Sequence, residues 1–232
     1  MRIAVTRSKE QLYELASRAT VMDIEIVPLP LMETRPIAFA WPDDIDLERV
    51  GWVFFTSANG VEFFFQRLDS IGCKLPKDTK FAVVGRQTEA ALVKRGYDAA
   101  FQPSDAYGRL LFGEFVERHP ECTQTLVYAR AKDIDWDPAT LLAARKMNYK
   151  SVECYESVEK PIDPHSVTRI KREDMILFTA PSMVRAFHKQ FGDPEARLLA
   201  IGSTTAAEME RHRWVNYRVL EQADVNSVLE YV

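Results

Sequence analysis

One short design is written twice in this chain. Trp52, Val53, Phe54 and Phe55 form an apolar run of strand length, and Thr56 to Gly60 is a turn of small polar residues. Val61, Phe64, Phe65 and Leu68 then fall at i, i+3, i+4 and i+7, the spacing of one helical face. The design returns 123 positions later. Met175 to Phe178 is the strand, Thr179 to Ser182 the turn, and Val184, Phe187 and Phe191 the helix face. Phe55/Phe178, Thr56/Thr179, Val61/Val184 and Phe64/Phe187 are identities between the copies. A strand, a hydroxyl-bearing turn and a helix used twice restrict the chain to two related α/β halves.

The rest of the sequence alternates strand and helix patterns, which predicts parallel sheets with right-handed crossovers. The middle of the chain supplies five expected strands, around Val53, Val83, Ala100, Val127 and Val152. The C-terminal part supplies three, around Ile176, Ala200 and Arg218, and a closing helix over 226–231. The two strands that half lacks stand at the N-terminus, Arg2 to Val5 and Ile24 to Val27. One domain is therefore expected to be continuous, 42–150, and the other discontinuous, 1–33 plus 168–232. Crossing linkers are expected at 34–41 and 151–160. Two extended crossings side by side make a hinge, and the chain reads as two similar parallel-sheet α/β domains.

Composition narrows the function classes. Formal net charge is -4 over 232 residues, which gives no general attraction for nucleic acid or an anionic membrane. Cys73, Cys122 and Cys154 are odd in number and show no C-x-x-C, so reduced thiols are expected rather than a disulfide framework or thiolate metal site. The N-terminus meets polar residues after three apolar ones, so no signal segment is expected, and the location is expected to be cytoplasmic. His119, His165, His188 and His212 lack metal-ligand spacing, and no nucleotide-binding loop or nucleophile elbow occurs. No metal and no cofactor is expected, and a monomer acting on a small molecule is the expected state.

In open parallel sheets, ligands bind beyond the carboxyl ends of the strands. Those ends carry Arg7; Thr56, Ser57 and Asn59; Gly85, Arg86 and Thr88; Arg130; Thr179 and Ser182; and Gly202, Ser203, Thr204 and Thr205. Hydroxyls, glycines and arginines where helices begin suit a ligand bearing several carboxylates or phosphates. The same residues also serve as ordinary caps and turn formers, and Arg7 and Arg130 as ion-pair partners. Tyr155 stands in the second crossing, either as a phenol that donates a proton or hydrogen bond, or as a tyrosine packed on the hinge.

With these motifs in order, the chain resembles the uroporphyrinogen-III synthase family over nearly its whole length. The resemblance rests on Val5-Thr6-Arg7, Phe55 to Val61, Val84 to Ala90, Tyr155-Glu156, Phe178 to Ser182 and Ala200 to Ala206. It implies two flavodoxin-like or Rossmann-like α/β domains on a two-stranded hinge. It implies closure of the linear tetrapyrrole hydroxymethylbilane, with inversion of the last pyrrole, loss of water and no cofactor. The family's crossing-strand tyrosine matches Tyr155, the implied aid to departure of the hydroxyl. Its turns match Thr56-Ser57, Gly85 to Thr88, Thr179 to Ser182 and Gly202 to Thr205, the implied holders of the carboxylate arms. Ala180, Ala131 and the Asn59-Gly60 pair depart from the family pattern. The competing expectation is a non-catalytic, bilobal cytosolic ligand-binding or regulatory module.

Overall fold

A computed structural model of the chain describes residues 1–232, the Thr168 side chain excepted. In chain order the elements are β1 (Arg2–Val5), α1 (Tyr13–Val21), β2 (Glu25–Pro28), β3 (Met32–Pro36), β4 (Val50–Phe55), α2 (Ala58–Ile71) and β5 (Lys80–Val83). Then follow α3 (Gly85–Lys94), α4 (Gly108–Arg118), β6 (Thr125–Ala131), α5 (Ala139–Ala144), β7 (Tyr149–Glu159) and α6 (Pro164–Thr168). The last are β8 (Met175–Phe178), α7 (Pro181–Phe191), β9 (Arg197–Ala200), α8 (Ser203–Arg211) and β10 (Tyr217–Val219). The expected closing helix is a 3-10 helix, Val225–Tyr231. Among the described residues, no helix is long and apolar enough to cross a membrane.

The fold is α/β with two parallel-dominated five-stranded sheets. The chain divides into two compact units, 1–33 with 158–232, and 34–157. Segments 34–41 and 151–157 thus cluster with the continuous unit, and 158–167 with the discontinuous one.

In the discontinuous unit the strand order is β10-β9-β8-β1-β2, all parallel. Its second-copy strand β8 is central and wholly buried. One face of the sheet packs Ile3, Val5, Leu177 and Leu199 against α1 and the 3-10 helix. The other packs Ala4, Ile176, Phe178 and Ala200 against α7 and α8. Hydrophobic residues on both faces explain why such strands read as continuous apolar runs.

In the continuous unit the order is β3-β7-β6-β4-β5. β4, β5, β6 and β7 run parallel to one another. The Ile37 amide donates to the Cys154 carbonyl and the Lys160 amide to the Leu31 carbonyl, so β3 runs antiparallel to β7. All six residues of β4 are buried. The helix that follows buries Val61, Phe64, Phe65 and Leu68, the face expected from their spacing. It ends at Gly72, whose φ of 67° is a left-handed turn that glycine adopts without a Cβ penalty.

The expected strand at Ala100 is not formed as one. It is reduced to a single parallel bridge between Ala82 and Phe101. Gly96, at φ 84°, turns the chain just before it, and Pro103 follows without an N–H to extend the ladder. β3 takes the fifth place instead, at the opposite edge.

Candidate active site

The decisive geometry lies in the continuous unit, where the carboxyl ends of β4, β6 and β7 are neighbours. Thr56 and Ser57 leave the end of β4. Ser57 is the N-cap of α2, its Oγ accepting the Gly60 amide at 3.0 Å. The same Oγ lies 2.7 Å from the Tyr155 hydroxyl. Thr56 Oγ1 lies 2.9 Å from the hydroxyl of Tyr128, on β6. Two consecutive hydroxyls thus hold two phenols.

A register shift aims Tyr155. Along the β6–β7 ladder Arg130 pairs with Glu153, but Ala131 pairs with Tyr155, one residue being skipped. Such bulges bend a strand and redirect a side chain. The Lys132 amide fixes the bulge by donating to the Tyr155 carbonyl at 2.8 Å. The Tyr155 ring rests 5.9 Å from that of Phe63. Close packing of helix on strand makes this possible, since a Cβ on Gly60 would stand only 3.2 Å from the Ala129 carbonyl oxygen.

Thr56, Ser57, Tyr128 and Tyr155 share a cavity of about 630 Å³ with Arg109 and Trp136. That is within the range of small-molecule sites, and Tyr107, Phe112, Tyr128, Trp136 and Tyr155 give its wall aromatic surface. Burial pushes the Tyr128 phenol above its ordinary pKa, and nearby Tyr155 adds to the effect, so Tyr128 keeps its proton at neutral pH. Another cavity of about 470 Å³ touches Arg2, Glu25 and Asp174 at the amino ends of β1, β2 and β8. These three satisfy one another: Arg2 Nε lies 2.9 Å from Glu25, and the Arg2 amide donates to Asp174 at 2.8 Å. Among the described residues, no group of three or more His, Cys, Asp and Glu side chains could hold a metal ion.

The family profile described as "HEM4: Uroporphyrinogen-III synthase HemD" matches residues 14–230. The chain belongs to the uroporphyrinogen-III synthase family. It is 28% identical over 243 aligned positions to "Porphyrin biosynthesis protein HemD" of Ruminiclostridium josui, covering 99% of this chain and 47% of that one. The chain therefore spans about half the length of that relative. It is 26% identical to "Uroporphyrinogen-III synthase" of Chlorobaculum parvum, covering 90% of this chain and 88% of the other. The crystal structure of uroporphyrinogen-III synthetase from Helicobacter pylori superposes with a TM-score of 0.66 at 21% identity, over all of this chain and 98% of that one. That likeness shows the fold. The family belongs to the lyases of tetrapyrrole biosynthesis.

Against the synthase turns, the expected site residues divide into groups. Thr56, Ser57 and Tyr155 come together in the cavity. Asn59 and Arg86 are exposed, Asn59 reaching Thr34 Oγ1 at 3.5 Å. Gly85 opens α3 at φ 76°, a conformation that favours glycine. Thr88 and Thr205 are buried in the first turns of α3 and α8. Arg130 is committed within the protein. Its guanidinium donates to the Ala131 and Lys132 carbonyls at 2.7 and 2.8 Å and pairs with Glu153 at 2.9 Å.

In the discontinuous unit, Thr6 and Thr179 clasp the ends of β1 and β8. Their hydroxyls are 3.1 Å apart, and the Thr179 amide donates to Thr6 Oγ1 at 2.9 Å. Arg7 is half-buried just beyond, and Ser182 lies in the first turn of α7. Ala180, the N-cap of α7, offers no side-chain acceptor, unlike its counterpart Ser57. Gly202 caps α8, with Ser203 and Thr204 exposed.

Sequence reasoning missed Tyr128, Arg109 and Trp136. The apolar strand run before Arg130 suggested only packing for Tyr128. Arg109 and Trp136 belong to connections whose spatial meeting no spacing rule encodes.

Proposed function

We propose that this chain is a uroporphyrinogen-III synthase, closing hydroxymethylbilane to uroporphyrinogen III with inversion of the last pyrrole and loss of water. The observation that carries the reading is the Ser57–Tyr155 pair, 2.7 Å apart in an aromatic-walled cavity of a chain from this family.

The proton inventory suits the reaction. Ser57 Oγ already receives the Gly60 amide, and its own proton can point to the Tyr155 oxygen. Tyr155 then keeps its phenolic proton for the cavity. As the carbinol C–O bond breaks, the departing hydroxyl takes that proton and leaves as water, and the proton shed from the pyrrole carbon when the ring closes restores the phenol. The cation left behind is stabilised by the pyrrole nitrogen, so the substrate needs little chemical help. The larger task is conformational, holding the chain so that inverted closure outruns direct closure. Turns at Arg7, Thr56, Ser57, Asn59, Gly85 to Thr88, Thr179 to Ser182 and Gly202 to Thr205 are the proposed holders of the carboxylate arms. Arg130 is proposed to act through Glu153 and the strand-end carbonyls.

The expected result is that the protein, mixed with fresh hydroxymethylbilane and a chelator, diverts the product to the III isomer. Spontaneous closure gives the non-inverted isomer. Isomer ratios unchanged at high protein concentration would sink the reading, and activity restored only by an added metal would overturn its cofactor-free part.

The reading includes a cytoplasmic monomer whose hinge is the β3–β7 pair, since the chain passes between the units only within those strands. Small-angle scattering is expected to report the mass of a single chain and a narrower spread of shapes on adding product. A profile indifferent to product would count against the hinge.

A further inference from the structure

We infer that the cavity beside Tyr155 is a subsite for one carboxylated pyrrole ring, with Arg109 as the residue that takes its carboxylate arm. The inference rests on the synthase reading for the identity of the ring and on the cavity alone for its chemistry.

A carboxylated pyrrole has three faces to satisfy: a flat π surface, an N–H donor and an anionic arm. The cavity offers a counterpart to each. Tyr107, Phe112, Tyr128 and Trp136 supply aromatic surface. Phe112, Tyr128 and Trp136 are linked into one wall, Phe112 standing 5.1 Å from Tyr128 and 6.1 Å from Trp136 between ring centres. Asp133 and Asp135 line the same space and are acceptors able to receive an N–H.

Arg109 is the lining cation. Its guanidinium carbon lies 5.7 Å from the centre of the Trp136 ring, a cation–π distance. It is exposed and, among the described residues, forms no ion pair, although Asp133 and Asp135 line the same cavity. Arg130, the cation expected at this end of the sheet, is already spent on Glu153 and two carbonyls. A guanidinium parked on an indole face and uncommitted to a carboxylate is preorganised for a bidentate one from outside.

Tyr107 and Leu110 strengthen the assignment. Both are largely apolar side chains that line the cavity and stay exposed, Tyr107 by 65% and Leu110 by 37%. A ring bound against them would cover surface that the folded chain otherwise leaves in water.

The test compares Arg109→Ala and Arg109→Lys with the parent protein in two assays. In isomer-resolved turnover, Arg109→Ala is expected to raise KM about tenfold with kcat held within about twofold, the mark of lost binding rather than lost chemistry. Arg109→Lys keeps the charge without the planar fork and is expected to recover part of that loss. In parallel, titration with the stable octacarboxylate uroporphyrin III, followed by calorimetry, is expected to show a weaker Kd for Arg109→Ala by a similar factor. Thermal midpoints should shift only slightly among the three proteins, because the side chain is exposed and its one described contact is a surface cation–π contact with Trp136. An Arg109→Ala protein with parental KM and Kd would overturn the subsite, as would an equal fall in kcat with KM unchanged. A parent protein that makes no III isomer but loses porphyrin affinity on Arg109→Ala would overturn the synthase reading and leave the subsite standing.

Discussion

Replacing Tyr155 by Phe is expected to lower turnover about tenfold or more, with little change in folding stability. General acid assistance contributes roughly 10²–10⁴-fold where a poor leaving group needs it. Here the carbinol ionises readily because pyrrole stabilises the cation, so an effect at or below the low end of that range is expected, and tenfold corresponds to about 1.4 kcal/mol of barrier. The substitution keeps the ring that packs against Phe63 and removes only the hydroxyl facing Ser57. Ser57→Ala separates the two roles of that neighbour. It removes the acceptor of the Gly60 amide, and loss of such a cap costs about 1 kcal/mol of stability. It also frees the Tyr155 hydroxyl to wander, so a smaller loss of turnover is expected beside a clear loss of stability. Stopped-flow turnover with product isomers resolved, paired with thermal unfolding, reads both quantities. Full turnover in Tyr155→Phe at unchanged stability would remove the proton-donor role and leave catalysis to substrate folding alone.

How much of this was legible depended on whether the information was local. The strand, turn and helix from Trp52 to Leu68 were legible because burial on both faces of β4 and on one face of α2 leaves a periodic trace. The exchange of N-terminal strands into the C-terminal unit followed from counting strands in the two copies. Strand length at Ala100 was not legible, since the flanking Gly96 and Pro103 stop a ladder that apolar residues alone would extend. Nor was the bulge between Arg130 and Ala131, which exists only in the pairing of β6 with β7. That bulge turns Tyr155 toward Ser57, so the candidate residue was visible while its geometry was not. Arg130 reads from sequence either as a ligand contact or as an ion-pair partner, and its partner, Glu153, 23 positions on, is set only by the β6–β7 pairing. Tyr128, Arg109 and Trp136 meet only through tertiary packing, and no local signal marks them as a group.

The largest loss of stability in the continuous unit is expected from Phe55→Ala. Phe55 is fully buried as the last residue of β4, and its ring lies 5.5, 6.0 and 6.3 Å from those of Phe64, Phe65 and Phe81. Removing a core phenylalanine costs about 3–5 kcal/mol, the lost transfer energy plus the cavity left behind. Its backbone carbonyl accepts the Val84 amide at 3.0 Å, tying β4 to the turn before α3. Relaxation around the cavity would therefore move two strand-end turns together, Thr56-Ser57 on one side and Gly85 on the other. Activity is expected to fall with stability, and by more than the unfolded fraction explains. Phe178→Ala, the matching change in the other unit, empties a site walled by Phe187 and Trp214 at 5.4 and 5.5 Å. Urea unfolding followed by Trp fluorescence compares them in two single-Trp backgrounds, with the other three of Trp41, Trp52, Trp136 and Trp214 replaced by Phe, Trp52 alone reporting the continuous unit and Trp214 alone the discontinuous one. If each unit has its own core, Phe55→Ala lowers the Trp52 midpoint more than the Trp214 midpoint, and Phe178→Ala does the reverse. A loss below about 1 kcal/mol for Phe55→Ala would mean that neighbouring rings refill the space, which a close-packed interior of this kind is not expected to permit.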